Sequence, residues 1–210
     1  MDILIFGASG HACVVIDAVE KQGCYRIAGL LDPNLPVGEE CMGYPVLGRD
    51  EDLPTIMKLT GAQGAIVAVG DNALRKKVVE NAVSFCPEIA FVTVIHPASV
   101  VSRTAIIELG ALIMPGAIIN AKASVGQHAI VNSLAVVEHE CVVGDFCHIA
   151  PGAVLGGNVS VGEGSLVGIG ARVLPGKTIG SCALLGAGGI AVADIPSNTT
   201  WAGSPARQKK

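Results

Sequence analysis

The run Val137-Glu138-His139-Glu140-Cys141 is where this chain concentrates acid–base chemistry. A neutral imidazole beside a carboxylate is the arrangement of a general base, because the acid orients the ring and stabilises its charged form. The plainer reading is a solvated His–Glu pair on a surface, and the scaffold has to decide between the two. A second cluster, Gly7-Ala8-Ser9-Gly10-His11-Ala12, is a loose relative of the GxGxxG turn. Its first Gly permits a tight turn, Gly10 lets backbone approach a ligand, and Ala12 replaces the third Gly. Amides at a helix N-terminus attract phosphate, so the turn suits a nucleotide. Asp32, at a strand end, is placed to meet a ribose hydroxyl or a base edge. His148 is nine residues from His139 and is expected to line the same groove. His128 reads as an outward structural position and His96 as a linker residue. No two histidines are five apart, so the three-histidine zinc site of hexapeptide carbonic anhydrases is not expected, and no metal is assigned.

His139 lies in a stretch, 105–185, with a strict period of six. Aliphatic residues recur at every sixth position from Ile107 through Val125, Val143 and Val161 to Leu185. A small side chain such as Ala111, Cys141 or Ser165 usually stands two residues before each. Gly or Asn often stands one residue after, as at Asn120, Gly126 and Gly162. Six is neither 3.6 nor 7, so this is neither an amphipathic helix nor a coiled coil. Two inward positions spaced by two fit a short strand. Gly and Asn accept positive φ, so the corners are expected just after each aliphatic residue, with Glu138 at one of them. Three hexads per turn give 18-residue coils and a triangular prism, the left-handed parallel β-helix of hexapeptide repeats. Its interior is dry and aliphatic, so reactive groups belong on its corners and outer faces.

The first part of the chain has a different pattern. An apolar run at 2–6 leads through the glycine turn into a helix closed by Gly23, then a strand at 26–31 ending in Asp32-Pro33. A short helix at 50–59, a strand at 65–69, a helix from 73 to about 85 and an extended run at 89–95 follow. Arg75, Lys76, Lys77 and Glu80 are expected on the outer side of the last helix. This is a small Rossmann-like parallel sheet, only half of the six-stranded dinucleotide architecture, which suits a mononucleotide rather than an oxidoreductase cofactor. Ligands of such sheets bind at the carboxyl ends of the strands, where Gly7–His11, Asp32 and Gly70 converge. His96-Pro97 marks the boundary, giving domains 1–96 and 97–210. The fold class is therefore α/β followed by all-β. The tail from Trp201 to Arg207 is expected to cap the open end of the prism.

Composition narrows the function. Half the residues are apolar but only 3% are aromatic, with 27 Gly, which suits stacked aliphatic coils. The net charge is −4 and no basic patch interleaves with aromatics, so nucleic acid is not an expected partner. No apolar run is long enough to span a membrane. The start, Met1-Asp2-Ile3, lacks a basic leader, and the seven cysteines are scattered without a CxxC pair. Both features fit reduced thiols in a cytoplasm.

Three motifs in order carry a resemblance. Gly7-Ala8-Ser9-Gly10-His11, Val69-Gly70-Asp71-Asn72 with Arg75-Lys76-Lys77, and Glu138-His139-Glu140-Cys141-Val142-Val143-Gly144 together resemble the sialic-acid O-acetyltransferase and nucleotide-sugar N-acetyltransferase family. Within it the chain looks most like the bacterial UDP-4-amino-sugar N-acetyltransferases of bacillosamine biosynthesis. The resemblance runs to the closing Gly203-Ser204-Pro205-Ala206-Arg207. It implies a homotrimer with acetyl-CoA, a co-substrate rather than a tightly bound cofactor, held between neighbouring prisms. It implies His139 as general base and Glu140 as the acid that raises its basicity. Ser9, Gly10, His11, Asp32 and Gly70 are then nucleotide-sugar contacts. His148, Gly157, Ile169 and Ala187 are acetyl-CoA contacts. An O-acetyltransferase on sialic acid shares scaffold and base and is the alternative. A non-catalytic nucleotide-sensing trimer leaves the His139–Glu140 pair without a purpose.

Overall fold

The computed structural model describes residues 1–209, and the chain divides into two compact units, Met1–Pro97 and Ala98–Lys210. In the first unit, β1 (Asp2–Phe6) is an almost wholly buried apolar strand. α1 (Gly10–Gln22) follows and ends at Gly23, whose φ of 68° puts it in the left-handed region that closes a helix. Its buried face is Ala12, Val15, Ile16, Ala18 and Val19, whereas Val14 is exposed. β2 (Arg26–Leu31) pairs parallel with β1. A hairpin of β3 (Glu40–Cys41) and β4 (Tyr44–Gly48) extends that side, with β4 parallel to β2.

A single 3-10 turn, Asp50–Asp52, leads into α2 (Leu53–Thr60). β5 (Gly64–Val67) then pairs with the other side of β1. After α3 (Asn72–Phe85), β6 (Ala90–Phe91) adds to β5. The sheet order is β3-β4-β2-β1-β5-β6, so the chain reverses direction across the sheet at β1. That reversal opens a crevice at the carboxyl ends of β1, β2 and β5. The run 89–95, expected as one strand, is two separate strands, β6 and Val94–Ile95, with Val92 donating its N–H to Ala65 O between them.

The second unit is the left-handed β-helix. Two-residue strands follow one another every six residues, and partners in adjacent coils are 18 residues apart, as Ser124 with Val142. The strands stack into three flat faces. One runs from Val100–Val101 to Ile190–Ala191, a second from Ile106–Ile107 to Thr178–Ile179, and the third includes Leu112–Ile113, His148–Ile149 and Leu184–Leu185. Aliphatic residues of the repeat and the small residues two before them are buried together. Cys141 and Cys147 take alanine-like places, and their thiols donate to Gly156 O at 3.1 Å and Gly162 O at 3.0 Å. At the carboxyl end Thr200–Ala202 lies parallel to Leu184–Leu185 and folds back on Arg207–Gln208.

The corners are not where the sequence placed them. The left-handed residue of each hexad stands three positions after the aliphatic one, at Gly110, Gly116, Lys122, His128, Leu134, Glu140 and onward to Gly188. The Gly just after the aliphatic residue has another purpose. A Cβ on Gly126, Gly162 or Gly180 would come within 2.7 Å, 2.6 Å or 2.4 Å of a backbone nitrogen in the next coil. These glycines let coils stack and do not turn the chain. The turning residue in the run around His139 is therefore Glu140, at φ 61°, and not Glu138.

Candidate functional site

In the first unit, the crevice at the strand ends is a cavity of about 560 Å³ lined by Ser9, Asp32, Asp50, Gly70, Asp71 and Lys77 among others. Ser9 caps α1 through its backbone alone, with no side-chain cap bond, and it is exposed. Gly10 opens the helix with nothing within 4 Å of where a Cβ would sit, so its backbone faces open space. His11 is half-buried. Its ring lies 3.9 Å from where a Cβ on Gly70 would be, and burial, then the Arg75 charge, pushes its imidazole below the usual range. The buried Nε2 of His11 has no hydrogen-bond partner.

Asp32 does something the sequence did not suggest. Its Oδ2 accepts the Ala8 N–H at 2.9 Å and its Oδ1 accepts the Asn34 N–H at 2.8 Å. It lines the cavity while tying the glycine turn to the end of β2. Arg75, expected on the outer side of α3, is instead 1% exposed. Its guanidinium donates to Val69 O at 3.0 Å, Gly70 O at 3.1 Å and Asn72 Oδ1 at 2.9 Å. It thus holds the loop between β5 and α3, which Asp71 also braces by accepting the Leu74 N–H at 2.8 Å. Sequence reasoning missed this role. The signal available was a basic residue one helical turn after the Gly70-Asp71-Asn72 bend, where its side chain can reach back to loop carbonyls.

In the second unit, His139 occupies the corner between the strand Val136–Val137 and the strand Val142–Val143. It is 60% exposed and Glu140 51%. His139 Nδ1 stands 3.3 Å from Glu140 Oε2. A carboxylate only accepts, so Nδ1 carries the hydrogen, and in the neutral ring the lone pair is then on Nε2. Glu140 Oε1 meets Lys122 Nζ at 3.4 Å. The His139 hydrogen bond first, and Lys122 next, hold the Glu140 carboxyl below its usual range. Gly157, in the coil above, lies against the ring: a Cβ there would come within 2.5 Å of His139 Nε2.

His148, Ile169 and Ala187 meet in one apolar groove of about 340 Å³ on the third face and its next corner, with Leu166 and Leu184 in its wall. Ile169 is 62% exposed there. Asn132 Nδ2 donates to His148 Nε2 at 3.0 Å, and the Asn132 amide is oriented by Ser133 N–H on its Oδ1. Gly157 is not in this groove but beside His139. His139 is not in it either, so the expectation that His139 and His148 line one groove fails within a single chain. His139 stands at a corner and His148 on the strand His148–Ile149 of the third face, and the face carrying Val136–Val137 and Val154–Leu155 lies between the His139 corner and the corner that carries Ile169. His128, read as outward, is only 4% exposed and stacks on Phe146 at 5.2 Å. His96 is 5% exposed. Among the described residues no group of three or more His, Cys, Asp or Glu is arranged to hold a metal ion, and no helix is long and apolar enough to cross a membrane.

A switch-point crevice on a small parallel sheet, followed by a hexapeptide prism with an oriented imidazole, defines an acyltransferase of the hexapeptide-repeat class. Comparison sharpens this. The PglD N-terminal domain family matches residues 2–82, and the GMPPB C-terminal domain family matches residues 77–185. PerB from Caulobacter crescentus, solved with CoA and GDP-perosamine, is 39% identical with a TM-score of 0.93, over 100% of this chain and 98% of that one. The acetyltransferase domain of PglB from Neisseria gonorrhoeae FA1090, solved with acetyl coenzyme A, is 36% identical with a TM-score of 0.91, over 99% and 98%. UDP-N-acetylbacillosamine N-acetyltransferase of Bacillus subtilis (strain 168) is 36% identical over 109 residues, which are 52% of this chain and 49%, about half, of that curated relative. The chain belongs to the nucleotide-sugar N-acetyltransferase family and is an acetyltransferase.

Proposed function

We propose that the chain transfers the acetyl group of acetyl-CoA to the amino group of a nucleotide-linked 4-amino-4,6-dideoxy sugar of the UDP type. The observation that carries this is the oriented imidazole of His139, with its Nδ1 hydrogen on Glu140 and its Nε2 lone pair beside Gly157. An amine attacks a thioester only when unprotonated, and a base of this kind removes its proton as the bond forms. The amine attacks directly, the Gly157 backbone faces the developing oxyanion, and the CoA thiol leaves. Acetyl-CoA is a co-substrate whose chain lies against Ile169, Ala187 and His148, since that groove is apolar and continuous. The nucleotide end of the sugar lies in the cavity of the first unit, which Ser9, Gly70 and Asp32 line, with Gly10 and His11, outside that lining, as the next residues of the glycine turn to reach it. Domain 1–96 is then the nucleotide-sugar domain and 97–210 the acetyltransferase domain.

A homotrimer completes the site. The groove and His139 flank one prism face, and Val100, Ile118, Val136 and Val154 stand outward along it in successive coils, followed by Arg172 and Ile190. An aliphatic stripe of this kind packs against another copy, which brings the groove of one prism to the His139 corner of the next. Acetyl-CoA as co-substrate and cysteines scattered without a CxxC pair support a cytoplasmic location.

The test is thiol release from acetyl-CoA with 4-amino sugars carried on UDP, GDP and dTDP, and with free sialic acid. An amino-sugar nucleotide is the expected acceptor; turnover of sialic acid alone reverses the reading to O-acetylation. His139→Ala is expected to cut turnover by about two orders of magnitude or more with CoA affinity nearly unchanged.

A further inference from the structure

We infer that Lys122 is a positioning residue for the His139–Glu140 pair, holding Glu140 with one oxygen turned to the imidazole. This rests on the proposed reading of His139 as the base. Lys122 and Glu140 are the same corner residue in successive coils, 18 positions apart, at φ 60° and 61°. Coil stacking fixes their backbones directly: Glu140 N–H donates to Ala121 O at 3.0 Å, and Lys122 N–H donates to Thr104 Oγ1 at 3.1 Å. Left-handed φ at two non-glycine residues is a cost to the backbone. At this column it aligns two opposite charges beside the imidazole.

The carboxylate is shared. Oε1 meets Lys122 Nζ at 3.4 Å and Oε2 meets His139 Nδ1 at 3.3 Å. With one oxygen on a cation, the other is presented to Nδ1, and the lone pair of Nε2 is turned toward Gly157. The remaining groups around the ring are few. Glu138 sends Oε2 to the His139 N–H at 3.4 Å, and Cys141 turns inward to Gly156 O. The coil above presents Gly157 and Asn158, which carry no charge. Lys122 is therefore the cation that both orients Glu140 and offsets part of its field on the ring.

The test is turnover against pH for the full-length protein with Lys122→Met and Lys122→Arg. Lys122→Met is expected to lower kcat roughly three- to tenfold, with KM for acetyl-CoA unchanged. Without the cation the whole Glu140 charge acts on the imidazole and favours its protonated form, so the acidic limb of the profile moves to higher pH. Lys122→Arg is expected to restore both kcat and the limb. An unmoved limb with unchanged kcat overturns the assignment, as does an Arg variant no better than Met. His139→Ala in the same assay separates the two readings: if it keeps full turnover, the base assignment itself is wrong, whatever Lys122 does.

Discussion

The two units handle charge in opposite ways. In the prism, Lys122, His139 and Glu140 are displayed on an outer corner, and bonds between stacked coils hold their backbones in place. In the first unit, Asp32 and Arg75 are buried and spend their hydrogen bonds on the backbone of the loops that form the cavity. One site is a scaffold with side chains added. The other is a set of loops that exists because side chains hold it. Changes at the prism corner should therefore alter chemistry and spare the fold, whereas changes to the buried charges should move both together.

Arg75→Leu breaks that comparison most strongly if it is wrong. The change removes donors to Val69 O, Gly70 O and Asn72 Oδ1 in a buried place. A loss of about 3 kcal/mol in the first unit is expected, together with weaker nucleotide-sugar binding. The three α-helices of the described residues lie in that unit, so helical circular dichroism during urea unfolding reports it directly. His139→Ala should leave the same curve in place. A Leu variant as stable as the parent would mean that the loop holds itself.

Two glycines make the contrast within the prism. A Cβ on Gly162 would sit 2.6 Å from the backbone nitrogen of Ser181, and one on Gly157 would sit 2.5 Å from His139 Nε2. The distances are alike but the obstacles differ. Backbone in a stacked coil cannot yield, so Gly162→Ala should cost about 2 kcal/mol of stability. An exposed ring can turn away, so Gly157→Ala should keep its melting temperature and lose about tenfold in turnover by misplacing the base. Melting curves and thiol release, measured on both variants, check the pair. Equal destabilisation of the two would remove the distinction between a stacking glycine and a site glycine.

How much was legible follows the same division. The prism was open to reading because one coil repeats, and its interior and three faces follow from the period, although the corners fall two residues later than the sequence suggested. What the period did not reveal was why Gly stands where it does, since positive φ and close approach of a neighbouring coil both demand Gly. Only the coordinates separate Gly126, which lets the next coil approach, from Gly110, which turns the chain. In the first unit, the strands and helices were legible from apolar runs and turn residues. The task of Asp32 was not, because it depends on a partner brought near by folding, Ala8, 24 residues away; that of Arg75 is local, with partners at Val69, Gly70 and Asn72, but helical periodicity alone put the side chain on the outer face. Separation within one chain of His139 from the groove at His148 was hidden for a related reason, because a nine-residue spacing gives half a coil but not which corner faces which groove.

The smallest expected effect concerns a carboxyl in the cavity. Asp50 is half-buried, and burial first, then the charges of Glu51 and Asp32, push its pKa above the usual value. Its folded pKa therefore exceeds its unfolded one. Below the unfolded value it is protonated in both states and costs nothing; as pH rises through the folded value, stability is lost, and at neutral pH the full penalty is present. Asp50→Asn should thus raise the melting temperature at pH 7 by about 1–2 °C and leave it unchanged near pH 3. Glu140 has the opposite sign, since its partners lower its pKa. A neutral Gln there gains nothing at pH 7 and loses the ionised partner of His139. A rise for Asp50→Asn with no rise for Glu140→Gln would separate a carboxylate kept in the cavity at a cost to the fold from one that its neighbours stabilise. Equal responses would show that the two sites carry their charges in the same way.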